Sequence, residues 1–338
     1  MAEMRPTGAA AEPEAVARAA TLRAFWEAIK AIKDQPWGDI DGYFFIFPSI
    51  LLFFMFSAYP LLRGLVLVVQ DYRFLTQEAP FVGLGNFREF LFDDKVFWQS
   101  FGRSLWYSFL FFPVQIPFSL IAAILVGLIR NRTASNAYRV ILYLPVVIPT
   151  SVAFLLGRDV FDKDYGWLNH ILRMVFHMSP PPKWGVDPKW TIPMAVMIHI
   201  WKSFGADMLL FLIGAYAINP ELYDASAVDG ASTWEQIKYV TLPLLKPMIV
   251  LVLVLSAGLA GSATEFLVLF SAGAGFNPSA GTSGPQDSGL ILPLYIYRVA
   301  FMYGDMRWGY TAAMGLALGI FSMLLSAIAF KLLRTERA

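Results

Sequence analysis

Residues 104–129 read SLWYSFLFFPVQIPFSLIAAILVGLI and contain no Asp, Glu, Lys or Arg. A helix needs about 20 apolar residues to cross roughly 30 Å of hydrocarbon, because each residue adds about 1.5 Å. The run is long enough for that, and it lacks the alternating apolar and polar period of a barrel strand. It therefore predicts a membrane-spanning α-helix.

Five further apolar runs bring the predicted number of transmembrane helices to six, so the expected fold class is an all-α integral membrane protein. Residues 43–333 would form its membrane domain, between an N-terminal tail of residues 1–42 and a C-terminal tail of residues 334–338. The five further runs are residues 43–69, 140–157, 190–218, 247–270 and 308–330.

Composition agrees with a membrane protein and excludes several functions. Hydrophobic residues make up 57% of the 338 residues and charged residues 15%, against about 25% charged residues in soluble domains. The net charge of +1 offers no electrostatic attraction for nucleic acid. With no cysteine and three histidines, the chain lacks the usual ligands of a metal cluster, and we predict no metal site and no catalytic residue.

The distribution of Lys and Arg gives a weak indication of how the chain is oriented in the membrane. Six spans place both termini on the same side, and Lys and Arg are divided almost equally between the two sides. The densest clusters, Arg130 with Arg132 and Arg139, and Lys331 with Arg334, favour cytoplasmic termini.

The N-terminal tail leaves two interpretations open. Leu22, Phe25, Trp26 and Ile29 recur at helical spacing among basic residues. This pattern fits an amphipathic helix lying on the membrane surface. It fits a solvated tail equally well.

Residues 219–247, between the fourth and fifth predicted spans, form the longest polar loop with clear helix signals; we call it the 219–247 loop. Asn219 is a good N-cap with Pro220 in the first helical position, and Gly230 can close that helix in the left-handed conformation. Ser232 and Glu235 have the spacing of a capping box. The loop is therefore predicted to hold two short helices around a turn, the second stopped by Pro243.

The first of these helices carries small side chains, Ala225 with Ser226 and Ala227, beside Asp224 and Asp229. Small side chains allow a helix to sit deep in a partner's groove, where the charges would orient it. An ordinary helix-turn-helix that connects two spans would have a similar surface, so the residues alone leave both interpretations open.

The order of residues in this loop resembles a known motif. Asp224-Ala225-Ser226, then Asp229-Gly230-Ala231, then Ile237 and Leu242-Pro243 resemble the EAA loop of binding-protein-dependent ABC importer permeases. Two positions depart from the motif: Asp224 replaces the usual glutamate and Ser226 the second alanine. The shorter Asp224 side chain implies a longer or water-mediated salt link to a partner.

Other segments, in order along residues 40–335, resemble the maltose and glycerol-phosphate subgroup of sugar permeases. They include Gly83–Phe87, Leu144-Pro145, Gly166–Asn169, Trp201-Lys202 and Leu292–Arg298. The resemblance implies the transmembrane domain of a type I ABC importer in a prokaryotic cell (inner) membrane. It also implies that a sugar, oligosaccharide or related polyol is carried.

The same resemblance implies the partners. They are a second permease subunit in a heterodimer, two cytoplasmic ATPases that hold ATP and magnesium, and an extracytoplasmic solute-binding protein. The chain itself contains no G-x-x-x-x-G-K-[S/T] sequence, so we expect no cofactor and no enzymatic activity on it. The residues implied to dock on the ATPase are Tyr223, Asp224, Ala225, Ser226, Asp229, Gly230, Ala231, Ile237, Leu242 and Pro243.

Sugar sites combine aromatic faces with hydrogen-bonding side chains. Within the predicted spans, the candidates for the substrate pathway are Tyr59, Gln115, Tyr216, Ser256, Ser262, Thr264 and Glu265. Glu265 lies close to the end of its span, where it would line a vestibule or reach headgroup water. On the outer side, Trp98, Trp167 and Trp184 would contact a binding protein or anchor the chain at the membrane interface.

An ion-coupled secondary transporter of small polar solutes is the alternative. Such a protein is also apolar, but it needs a coupling-ion site among its helices. Only Asp207 and Glu265 offer carboxylates there, and a whole loop separates them in the sequence.

Overall fold

A computed structural model describes residues 26–27, 39–257 and 283–333. Every regular element in these ranges is helical, apart from two isolated β-bridges. The chain divides into two compact units, Met1–Arg63 and Gly64–Ala338. Besides residues 26–27, the described part of the first unit is α1 (Asp39–Phe53), a π-helical turn (Phe54–Ala58) and the beginning of α2 (Tyr59–Leu67).

The second unit contains the remaining helices, which range from single turns to full spans. In chain order they are α3 (Gly85–Arg88), a π turn (Glu89–Asp93), α4 (Lys95–Gly127), α5 (Arg132–Val147), α6 (Thr150–Val160), α7 (Trp167–Phe176), α8 (Pro188–Tyr216), α9 (Pro220–Val228), α10 (Thr233–Gln236), a π turn (Ile237–Thr241), α11 (Leu242–Leu244), α12 (Lys246–Ala257), a 3₁₀ turn (Pro285–Asp287), α13 (Leu292–Phe301) and α14 (Trp308–Leu333).

Four helical segments of the described chain are individually long and apolar enough to cross a membrane: Phe45–Leu67, Lys95–Gly127, Pro188–Tyr216 and Trp308–Ile328. Two bent helix pairs raise the number to six if each pair is one span. The predicted six-span all-α fold agrees with this upper number. The second span begins earlier than predicted, at Lys95 instead of residue 104.

The third predicted span, residues 140–157, is divided by a sharp bend. The chain bends by 95° between α5 and α6. Ile148 has the extended backbone conformation, with φ −67° and ψ 130°, and Pro149 follows it. Because a proline ring disfavours the helical conformation of the preceding residue, α5 ends at Val147 and α6 begins in a new direction.

The expectation that Pro243 stops the second loop helix is also wrong. The helical run continues through Pro243 to Leu244, and the 56° bend comes before α12. Pro243 is the second residue after a π turn, as is Pro60 in the first unit. A π turn forms its backbone hydrogen bonds between residues five apart instead of four. This shift means that the position of the proline does not have to donate a backbone hydrogen bond, which a proline cannot do. The predicted continuation of the fifth span beyond residue 257 lies outside the described residues.

The tail boundaries differ at the N-terminus. α1 begins at Asp39, inside the tail predicted to end at residue 42. Of the predicted amphipathic segment, the structure describes only Trp26 and Glu27, which are helical with Trp26 62% exposed. The rest of that segment and residues 334–338 lie outside the described residues.

The central contact of the second unit is the pairing of α4 with α8. Gln115 Nε2 donates to Asp207 Oδ2 at 2.7 Å, and Tyr107 hydrogen-bonds His199 Nδ1. Both pairs have the same offset in sequence, so the two helices run in the same direction, as the second and fourth spans of a membrane protein must. An apolar cluster continues the contact, formed by Ala123, Val126, Met208, Phe211, Leu212 and Val252.

At the N-terminal end of α4, Asp94 joins three helices. Its Oδ1 accepts from the backbone nitrogens of Val96 and Phe97 and so caps α4. Its Oδ2 accepts from the hydroxyls of Tyr295 on α13 and Tyr310 on α14, both at 2.7 Å. Burial and the hydrogen bond to Asp94 raise the pKa of Tyr295, so this hydroxyl stays neutral and donates.

A charged cluster lies at the same end of the helices. Arg307 forms a bidentate pair with Glu89, at 2.6 and 2.9 Å, and a further bond of 3.0 Å to Asp71. Arg73 bonds Asp71 and Asp305. The hydrogen bonds to Glu89 raise the pKa of Arg307. These pairs attach residues 70–94 to the start of α14.

One of the three tryptophans expected on the outer surface is a core residue. Trp184 is 7% exposed, donates to Asn169 Oδ1 at 2.8 Å, and packs edge-on against Phe161 and Trp190. Trp98 is 49% exposed and Trp167 is 77% exposed. Both contact with a binding protein and anchoring at the membrane interface require such exposure. Trp184 was misassigned because its aromatic partners come together only in the folded chain.

Replacing Asp94 by alanine should lower the stability of the helical domain. The change removes a helix cap and leaves the Tyr295 and Tyr310 hydroxyls without their acceptor. The expected loss is at least about 2 kcal/mol, to be measured as a reduced melting temperature of the detergent-solubilised chain.

The neighbouring Asp93 is the matched control, because it is exposed and has no hydrogen bond or ion pair among the described residues. Asp93→Ala should melt like the unmodified chain. Equal melting temperatures for the two variants would contradict the role given to Asp94.

Candidate functional site

The 219–247 loop begins with a well-capped helix, α9. Asn219 accepts from the Glu221 backbone nitrogen at 3.1 Å, and its side-chain amide donates to the Glu221 carboxylate at 3.1 Å. Pro220 occupies the first helical position. The predicted helix start is therefore confirmed.

The end of α9 is a Schellman motif. Gly230 has φ +82°, the Ala231 nitrogen donates to the Ser226 carbonyl at 2.9 Å, and the Gly230 nitrogen donates to Ala227 at 3.1 Å. The left-handed glycine predicted from the sequence is confirmed. A Cβ at Gly230 would meet no atom within 4 Å, so only the backbone conformation requires glycine there.

The second helix, α10, opens with the predicted capping box. Glu235 Oε2 accepts from both the backbone nitrogen and the hydroxyl of Ser232, each at 2.7 Å, and the Glu235 nitrogen donates back to Ser232 at 3.4 Å. The hydrogen bonds from Ser232 hold the pKa of the Glu235 carboxyl below its ordinary value. The carboxylate therefore stays ionised as the pH falls towards its usual titration range.

Side-chain hydrogen bonds tie α9 to the segment that follows it. Gln236 Nε2 donates to the Tyr223 carbonyl at 3.2 Å and to Ser226 Oγ at 3.1 Å. The Tyr223 hydroxyl bonds Thr241 Oγ1 at 2.9 Å. Ser226, which replaces an alanine of the EAA motif, thus supplies an acceptor that alanine lacks.

The opposite side of α9 is exposed and made of small side chains and carboxylates. Asp224, Ala225, Ala227 and Asp229 are exposed. Asp224 and Asp229 have no side-chain hydrogen bond or ion pair with any described residue. Larger apolar side chains flank this face, with exposures of 46% for Leu222, 88% for Val228, 68% for Trp234 and 65% for Tyr239.

The ten predicted docking residues therefore divide into two groups. Asp224, Ala225, Asp229 and Gly230 are exposed and available to a partner. The other six are half-buried within the loop: Tyr223, Ser226, Ala231, Ile237, Leu242 and Pro243. Of these, Tyr223 and Ser226 hold the loop together through the hydrogen bonds described above.

Three of the predicted pathway residues lie in the described part of the second unit, and no hydrogen bond joins any two of them: Gln115, Tyr216 and Ser256. Gln115 is 1% exposed against Asp207, and Ser256 is 8% exposed near the end of α12. Tyr216 is 58% exposed at the C-terminal end of α8, and Tyr59 is 69% exposed in the first unit. Ser262, Thr264 and Glu265 lie outside the described residues.

A cavity of about 220 Å³ lies between α4, α12 and α14. None of the predicted pathway residues lines it. The polar residues that line it are four serines: Ser104, Ser108, Ser322 and Ser326. The sequence did not single them out, because serine is common in apolar helices. Among the described residues, no group of His, Asp and Glu could hold a metal ion.

The fold and the loop define a multi-pass helical membrane protein with a rigid, exposed helix-turn-helix between two spans. Residues 115–335 match the family described as binding-protein-dependent transport system inner membrane component, and the chain belongs to this family. It is therefore a multi-pass inner-membrane protein.

Named relatives cover most of the chain. It is 29% identical to the lactose transport system permease protein of Rhizobium radiobacter, over 88% of this chain and 96% of the relative. It is 30% identical to the arabinooligosaccharides transport system permease protein of Bacillus subtilis (strain 168), over 89% of this chain and 93% of the relative.

A solved structure shares the fold. One chain of a bacterial ABC transporter involved in the import of the acidic polysaccharide alginate superposes with a TM-score of 0.71 at 23% identity. The match covers 90% of the present chain and 100% of the other. The type I importer fold expected from the sequence is thereby confirmed.

Replacing Gly230 by alanine should loosen α9. An L-residue in the left-handed conformation costs about 1–2 kcal/mol, and no steric contact adds to that cost here. We expect faster amide hydrogen exchange in residues 220–231, measured by mass spectrometry on the intact chain.

Gly230→Asn is the matched variant, because asparagine tolerates the left-handed conformation better than alanine. Its exchange should lie between those of the unmodified chain and Gly230→Ala. Identical exchange in all three proteins would contradict the assigned role of the glycine.

Proposed function

We propose that this chain is the membrane-spanning permease subunit of an ATP-driven importer, and that α9 is the element on which a cytoplasmic ATPase acts. The observation that carries the proposal is the structure of α9. One side is hydrogen-bonded to the following helical segment, and the other exposes small side chains with two carboxylates that pair with no described residue.

This arrangement suits the transmission of force. α9 is fixed at its N-cap, at its Schellman motif and along one side. It therefore moves together with α8, which precedes it, and with the helical segment that leads into α12. Small side chains on the exposed side permit close approach of a partner, and Asp224 supplies a charge for a basic group on it. The shorter side chain of Asp224 requires that partner group to approach closely or through water.

The substrate class follows from the relatives. Permeases named for lactose and for arabinooligosaccharides match nearly the whole chain, which supports a sugar or oligosaccharide as the substrate. A second solved structure of similar fold, a bacterial alginate ABC transporter in complex with an alginate pentasaccharide-bound periplasmic protein, supports delivery by a binding protein. Family membership does not favour the ion-coupled alternative.

The complete importer would contain a second permease subunit and two ATPases, with ATP and magnesium bound by the ATPases. The 219–247 loop would face the cytoplasm. With six spans, both termini would then be cytoplasmic as well.

The orientation can be tested directly, because the chain has no native cysteine. Ala225→Cys should react with a membrane-impermeant maleimide in inverted vesicles and not in right-side-out vesicles. Ala79, exposed in the loop that precedes α4, lies at the opposite end of the helices. Ala79→Cys is therefore the control with the reverse pattern. Labelling of residue 225 from outside would overturn the proposed orientation.

Coupling can be tested with a bulky residue on the exposed side of α9. Ala225→Leu should reduce ATP-driven uptake at least about tenfold, which corresponds to about 1.4 kcal/mol of lost coupling. The chain should still fold, because Ala225 is exposed. Uptake would be measured in proteoliposomes holding the complete complex, with lactose and arabino-oligosaccharides as the first substrates.

The control is Ala137→Leu, the same change at an exposed position of α5 outside the loop. Both variants should keep the unmodified melting temperature, and only Ala225→Leu should lose uptake. Normal uptake in Ala225→Leu would refute the docking role of α9.

A further inference from the structure

An open pocket of about 350 Å³ lies where α4 ends, α5 begins and α8 ends. Its lining is strongly basic: Ile129, Arg130, Arg132, Ser135, Arg139 and Tyr216. Tyr216 is the last residue of α8, just before the 219–247 loop. The pocket therefore lies at the same membrane surface as that loop.

Arg139 is held in place at the back of the pocket. Its Nη2 donates to Ser135 Oγ at 3.0 Å and to the Tyr216 hydroxyl, and its guanidinium carbon lies 5.3 Å from the centre of the Tyr216 ring. Its Nε is buried and has no acceptor among the described residues. Its Nη1 makes no hydrogen bond within the described chain and is not buried, so it is available to an acceptor oxygen of a ligand.

The positive charge of the pocket has no compensating carboxylate among the described residues. No described carboxylate lies within ion-pair distance of Arg130, Arg132 or Arg139. Arg130 and Arg132 also flank Asn131, the N-cap of α5, where the helix dipole is positive and basic side chains are unfavourable. Two guanidinium groups at a helix N-terminus, with a third two turns further along the helix, become favourable when an anion lies among them.

The surroundings place this anion at the level of lipid headgroups. Apolar side chains of α5 are exposed within three turns of its N-terminus, with exposures of 52% for Tyr138, 67% for Val140 and 62% for Ile141. Tyrosine is typical of the membrane–water interface, and aliphatic side chains beyond it face the acyl chains. A lipid could place its headgroup in the pocket and its chains along this face of α5.

We propose that this pocket binds the phosphate group of an anionic phospholipid, held by Arg139 at the back and by Arg130 and Arg132 at the rim. Basic pockets between transmembrane helices suit such headgroups, because guanidinium groups bind phosphate oxygens in bidentate fashion. The site is independent of the proposed transport function, because it requires neither an ATPase nor a substrate. Its position beside Tyr216 connects the lipid to the helix that leads into the 219–247 loop.

The test is lipid binding to the purified full-length chain in neutral detergent, measured by native mass spectrometry with phosphatidylglycerol and phosphatidylcholine. The unmodified chain should prefer phosphatidylglycerol. Each arginine near a membrane surface contributes about fivefold to the binding of anionic lipid. The Arg130→Gln/Arg132→Gln double variant should therefore bind phosphatidylglycerol roughly 25-fold more weakly, and Arg139→Gln at least about fivefold more weakly.

The double variant separates binding from folding, because Arg130 and Arg132 are exposed and have no hydrogen bond within the described chain. Its matched control is Arg88→Gln/Lys95→Gln, which removes the same charge from two exposed residues at the other end of α4. That control should bind phosphatidylglycerol as the unmodified chain does.

Three results would overturn the proposal. They are unchanged phosphatidylglycerol binding in the Arg130→Gln/Arg132→Gln variant, equal binding of the two lipids, and displacement of phosphatidylglycerol by an equimolar amount of inorganic phosphate. The last would assign the pocket to a soluble phosphate. None of these measurements depends on uptake, so failure here and failure of the transport proposal are distinguishable.

Discussion

The pairing of α4 with α8 is the contact on which the arrangement of the second unit depends. A polar side chain in the hydrocarbon region is unfavourable unless it finds a partner. Gln115 Nε2 bonds Asp207, and Tyr107 bonds His199, across the two helices in one register, while Gln115 Oε1 is buried without a partner among the described residues. That register makes the helices parallel, so their C-terminal ends lie at the same membrane surface. Both the 219–247 loop and the arginine pocket begin there.

The two ends of α4 differ in how their charges are balanced. At its N-terminal end, Asp94 accepts from two tyrosine hydroxyls, and Arg307 is paired with Glu89 and Asp71. At its C-terminal end, three arginines have no described carboxylate partner, and Asp224 is likewise unpaired. Paired charges attach loops to helices within one chain. Unpaired charges are available to lipid and to protein partners, which agrees with the roles proposed for that end.

The 219–247 loop combines a rigid interior with an exposed contact surface. Gln236 and Tyr223 connect its two helical parts, while the exposed side of α9 makes few contacts with the rest of the chain. Ser226 and Asp224 depart from the family motif in different ways. Ser226 has an internal explanation, since it accepts a hydrogen bond from Gln236. Asp224 has no described internal partner, so its effect belongs to the contact with another protein.

The sequence alone determined the features that depend on neighbouring residues. Apolar runs marked the spans, because their length must match the bilayer, and the caps at Asn219, Gly230 and Ser232 were predictable from local hydrogen bonding. Only the tertiary structure decided the 95° angle of the bend at Pro149, the burial of Trp184 and the placement of Gln115 against Asp207 and Tyr216 against Arg139. The partners in these last two pairs are far apart in the chain, and a pattern of period 3.6 shows which residues share a helix face without showing which helix lies opposite. Helix packing brings them together, so no local rule could have identified them.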